Sequence, residues 1–170
     1  MNIKNALLSF ALLAVTASFT LAQEKASPAM TAEGTVGGAK ITINYSSPAV
    51  KGRTIWGDLV PLGQVWRAGA NEATTFTTDK DILVEGQKLP AGTYSFFIIP
   101  NEGSSTLIFN KVAKQWGAFN YDAKEDQLRV NVPSEQTSTM EERLVYRVNS
   151  GGFEVAWEYG KAAAKIASAN

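Results

Sequence analysis

Apolar side chains in this chain recur at every second residue, and almost never at the three- and four-residue spacing of an amphipathic helix. Lys40-Ile41-Thr42-Ile43-Asn44-Tyr45 places Ile41, Ile43 and Tyr45 on one side, and Phe153, Val155, Trp157 and Tyr159 repeat the pattern near the other end. A strand sends successive side chains to opposite faces, so such a run is a half-buried β-strand. Turn residues punctuate the runs: Gly37-Gly38, Glu85-Gly86-Gln87, Pro100-Asn101-Glu102-Gly103 and Asn149-Ser150-Gly151-Gly152. Strands are therefore expected at 31–36, 40–45, 74–78, 81–84, 93–99, 105–110, 127–132, 140–148 and 153–159. Residues 23–33 read as a loose lead, and Ser46-Ser47-Pro48 ends the second strand because proline cannot donate to a ladder. Many short strands joined by tight turns imply an all-β fold, a single antiparallel β-sandwich or jelly-roll-like domain over residues 30–160. Only the alanine-rich residues 161–170 read as a short C-terminal helix or tail.

The beginning of the chain has a different grammar. Lys4 precedes an apolar stretch over residues 6–21, and Thr20-Leu21-Ala22 sets small residues at the −3 and −1 positions before Gln23. A basic start, a short apolar run and a small-residue site in that order define a secretory signal peptide over residues 1–22. A membrane span needs about 20 predominantly apolar residues, and this run is shorter. The expectation is export, cleavage near Ala22 and a periplasmic or secreted protein that does not span a membrane. A lipoprotein anchor would need a cysteine at the cleavage site, and the chain has none.

Missing residue types restrict the chemistry. With neither cysteine nor histidine, there is no Ser-His-Asp or Cys-His triad, no disulfide and no ordinary structural zinc site. Catalysis would have to use carboxylates, Lys, Tyr, Arg or a bound hard cation. Sixteen basic and sixteen acidic side chains balance without any charge block, so no nucleic-acid partner is expected. Asp122, Glu125 and Asp126 form an acidic cluster, but Lys124 sits among them and no spaced calcium loop appears. A solvated turn is the reading there; no metal and no cofactor is called for.

Residues 51–75 break the strand-and-turn rhythm. They hold Trp56 and Trp66, Arg53 and Arg67, and several glycines in a loop longer than compact domains normally carry. Gly52-Arg53, Trp56-Gly57, Leu59-Val60-Pro61 and Val65-Trp66-Arg67-Ala68-Gly69-Ala70-Asn71-Glu72-Ala73-Thr74 resemble the hallmark of domain of unknown function 2911. Tyr45-Ser46-Ser47-Pro48, Leu89-Pro90-Ala91-Gly92-Thr93-Tyr94 and Trp116-Gly117-Ala118-Phe119 with Tyr121-Asp122 are similar to the same family, over roughly residues 27 to 159. The resemblance implies an exported bacterial β-rich domain of unassigned role, and it transfers no catalytic residue.

The residues of the loop carry paired readings. Arg67 and Glu72 form either a charged clamp in a cleft or a buried ion pair bracing the loop, and Arg53 with Asp58 poses the same choice. Trp56 and Trp66 are either stacking platforms for a sugar ring or plugs for a core without disulfides. Trp116 and Trp157 read as structural, and Asn71 as a turn former. The leading expectation is a non-catalytic small-molecule or glycan binding module, with Arg53, Trp56, Trp66, Arg67, Asn71 and Glu72 as ligand contacts. Alternatives are a carboxylate-dependent hydrolase using Asp58 and Glu72 as acid and base, and a structural or protein-interaction domain without ligand.

Overall fold

A computed structural model describes residues 26–169. The expected leader, residues 1–22, lies outside the described residues. Among the described residues nine strands occur in the chain order β1 (Ala29–Val36), β2 (Ala39–Ser46), β3 (Thr74–Thr78), β4 (Ile82–Val84), β5 (Gln87–Leu89), β6 (Gly92–Asn101), β7 (Ser104–Asn110), β8 (Asp126–Asn149) and β9 (Gly152–Ser168). All pair antiparallel in the order β1-β2-β3-β6-β7-β8-β9-β4-β5. The all-β, antiparallel expectation is met. The β1–β2 hairpin closes through Gly37 and Gly38, both at positive φ, the two-residue turn that matches strand twist.

β2 buries Ala39, Ile41, Ile43 and Tyr45 in strict alternation. Phe76 on β3 and Phe96 on β6 meet Phe153 of β9 at ring-centroid distances of 5.3 and 5.7 Å. Tyr45 on β2 meets Tyr146 of β8 edge-on at 4.7 Å. Strands from the start and the end of the chain thus share one apolar core. Beyond β2 the chain continues beside β8: Ser47 Oγ donates to the Leu144 carbonyl at 2.7 Å, and Val50 N to Glu142 O at 2.7 Å. β6 is apolar on both faces because both are covered. Phe97, with Ala73 and Ile108, packs under Val65, Ala118 and Tyr121 on the outer side.

Three sequence expectations need correction. The C-terminal stretch is no helix but the end of β9, pairing Ile166, Ala167 and Ser168 with β4 and Ala162 with Ser134 of β8. Ala162, Ala164 and Ile166 are buried while Ala163, Lys165 and Ala167 are exposed, so a period of two outweighs alanine's helix preference. Tyr159 does not share the face of Phe153, Val155 and Trp157. Glu158 sits at φ 54° where the β8–β9 register shifts, which turns Tyr159 outward. The two strands expected at 127–132 and 140–148 are one bent strand of 24 residues. β9 curls as well, since Ile166 N near its end donates to Gly151 O just before its start. Among the described residues no helix is long and apolar enough to cross a membrane.

Candidate functional site

The unusual loop is distributed over the molecule rather than gathered. Trp66 exchanges both backbone hydrogen bonds with Ile98 of β6, N to O at 2.8 Å and O to N at 2.9 Å. That bridge aims its indole at the core side, stacked on Trp157 at 5.9 Å and 15° and edge-on to Trp56 at 5.7 Å. Trp56 Nε1 donates to the Trp157 carbonyl at 3.2 Å. The three indoles thus form a packed knot that ties the loop to β9. Arg53 forms no ion pair with Asp58 and donates to the carbonyls of Ala49 and Val50 at 2.5 and 3.0 Å.

Arg67 and Glu72 make no ion pair with each other. Between them Ala68 and Asn71 lie at φ 56° and 60°, and this double left-handed turn carries the two side chains to different surroundings. Arg67 runs beside Gly117, with its Nε buried and without a hydrogen-bond partner among the described residues; burial lowers the guanidinium's pKa from its usual value. Asn71 donates to Ser46 Oγ at 3.3 Å, and the Ala68 carbonyl accepts from Thr74 Oγ1 at 2.9 Å and Tyr146 Oη at 2.8 Å. These three bonds fix the turn.

Three clefts border these residues. Arg53, Trp66 and Arg67 edge a small one of about 280 Å³. Trp56 lines a cleft of about 680 Å³ at the other side of the indole knot. Glu72 lines a third, of about 660 Å³, across the outer side of β1 and β2. Asp58 borders none of the three.

The third cleft has the most deliberate construction. Residues 71–73 zip onto residues 115–117: Ala73 N donates to Gln115 O at 2.9 Å, Gly117 N to Asn71 O at 3.2 Å, and Glu72 bridges Trp116. Gln115 is only 9% exposed, and its Nε2 points at Ser95 Oγ, Asn110 Oδ1 and the Val112 carbonyl at 3.0–3.1 Å. Those contacts orient the amide, and its Oε1, itself buried from solvent, accepts no hydrogen bond among the described residues. A buried acceptor left unpaired costs roughly 1–3 kcal/mol. Beside it Trp116 is 61% exposed, against the expectation that this residue is structural. Asn44 and Tyr45 come from β2, while Lys114 and the exposed Met30 complete the rim. Sequence reasoning missed Gln115 and Trp116 because residues 111–121 have no periodicity. The available signal was a Trp-Gly pair in a stretch that no strand pattern explains.

The acidic cluster is engaged by the protein itself. Asp122 caps the short 3-10 turn at 123–125, and Glu125 pairs with Lys111 at 3.4 Å. Asp126 accepts from Arg129 Nε and Tyr121 Oη, both at 2.6 Å, and from Asn110 Nδ2 at 2.9 Å. Burial and the bond to Asp126 push the Tyr121 phenol up to about 12. Among the described residues, no three carboxylates gather closely enough to hold a metal ion.

Fold and clefts together define an antiparallel all-β domain that carries solvent-open clefts on its outer surface. The chain belongs to the family described as a protein of unknown function, DUF2911, whose family model matches residues 27–166. No curated protein and no solved structure matches it.

Proposed function

We propose that the protein is an exported, non-catalytic binding module that holds a small hydroxyl-rich ligand, such as a saccharide, in the cleft beside Trp116. The observation that carries this reading is the pairing of an exposed indole, Trp116, with an exposed carboxylate, Glu72, on one cleft. The aromatic face suits the apolar side of a sugar ring. The exposed Glu72 carboxylate accepts from its hydroxyls. At about 660 Å³ the cleft lies within the usual range for small-ligand sites. The segments that bear the family resemblance, Tyr45-Ser46, Glu72-Ala73 and Trp116, meet there. Export rests on the leader and on the Thr20-Leu21-Ala22 cleavage site. The hydrolase alternative draws no support from the clefts, since Asp58 and Glu72 share none of the three.

A glycan panel tests this with Trp116→Ala and Glu72→Gln. Both side chains are exposed, so unfolding midpoints are expected to stay close to the parent. Binding of the saccharide that the parent recognises is expected to fall about tenfold or more in Trp116→Ala, matching the loss of one stacking contact. Undiminished binding by that variant, or a parent that binds no member of the panel, would sink the proposal.

A further inference from the structure

We propose that the cleft between the 100–103 turn and the β8–β9 irregularity is a second binding site, for a small organic cation with a protonated amine on an apolar or ring-shaped body. None of its lining residues belongs to the Trp116 cleft, so the inference stands independently.

The backbone builds this cleft. The ladder pairs Gln136 with Gly160 and next pairs Glu141 with Glu158, so residues 137–140 of β8 bow away opposite Tyr159 alone. Glu158 occupies the left-handed region at φ 54° inside a strand, a conformation that costs a non-glycine residue about 1 kcal/mol or more. Bulges of this kind re-aim side chains beside sites. Here the result is Tyr159 turned out to 48% exposure over the cleft, next to Trp56 and the exposed Leu62. Trp157, 2% exposed, forms part of the lining, and its indole N–H finds no hydrogen-bond partner among the described residues.

Charge selects the ligand class. Three carboxylates, Glu102, Glu135 and Glu158, line the cleft against a single ammonium, Lys161. Lys161 is held by Glu135 at 2.9 Å, whereas Glu102 and Glu158 have no ion pair among the described residues. Two uncommitted carboxylates beside two aromatic rings attract a cation through both Coulomb and cation–π terms. A neutral sugar would leave the carboxylates unneutralised, and an anion would be repelled.

The probes are matched pairs that differ only in charge: glucosamine with N-acetylglucosamine, and benzylamine with benzyl alcohol. Titration is followed by the indole N–H resonances in proton–nitrogen correlation spectra. The charged member of at least one pair is expected to bind about tenfold more tightly than its neutral partner, an advantage that shrinks with added salt. The double variant Glu102→Gln, Glu158→Gln, at one exposed and one half-buried position, is expected to reduce that advantage below about threefold, while Trp116→Ala leaves it intact. Equal binding within both pairs, no binding of either amine, or an unchanged advantage in the double variant would each overturn the proposal.

Discussion

Gly160 and Trp56 offer the sharpest test of how the loop is held. A Cβ at Gly160 would lie 2.5 Å from Trp56 Nε1, 2.8 Å from Cε2 and 3.2 Å from Cζ2. The backbone there is outside the left-handed region, so Gly160→Ala introduces a steric conflict and little dihedral strain. The indole cannot swing aside cheaply. Its N–H is committed to the Trp157 carbonyl, and its ring is edge-on to Trp66 and Trp157 at 5.7 and 6.3 Å. Overpacking of this type costs about 1–3 kcal/mol, and losing the hydrogen bond adds about 1 kcal/mol. Removing a glycine from a strand returns about 0.5–1 kcal/mol. The net expectation is a loss of about 2 kcal/mol, a large share of a typical domain stability of about 5–15 kcal/mol. Urea unfolding followed by far-ultraviolet circular dichroism measures it, with the m-value checked for constancy. In a Trp56→Leu background the same substitution is expected to be neutral or slightly stabilising, giving a coupling energy of about 2 kcal/mol. The reasoning fails if Gly160→Ala matches the parent within about 0.3 kcal/mol, or if it costs as much without the indole.

Two further outcomes follow from the fold. Ala163→Thr, at an exposed position of β9, is expected to raise stability by a few tenths of a kcal/mol because the segment is a strand; a helix there would give the opposite sign. Tyr121 remains protonated up to about pH 12 in the folded protein, whereas the unfolded phenol ionises near pH 10. Its contribution is therefore complete below pH 10 and is lost as pH rises through 10 to 12. After allowance for solvent screening, Tyr121→Phe should flatten the fall in stability over that window by about 0.5–1 kcal/mol per pH unit. Parallel pH profiles of parent and variant would contradict the assignment.

The sequence alone located most of the strands, but not β5 or the full length of β8 and β9. Alternation at 40–45 and 74–78, and the glycine turns between runs, are local codes that any neighbouring strand satisfies in the same way. It also limited the chemistry, since a chain without histidine and cysteine has few catalytic groups. Only tertiary structure decided the end of β9, where pairing with β4 and burial of Ala162, Ala164 and Ile166 outweigh local helix preference. Tertiary structure likewise separated Arg67 from Glu72, because the left-handed residues Ala68 and Asn71 set directions that residue spacing does not reveal. It also brought Glu72 to Trp116, 44 positions apart in sequence numbering, through a single bridge. Long-range hydrogen bonding has no local signature in the chain. The binding surface was therefore invisible in the loop's composition, whereas the strands that support it were plain to read.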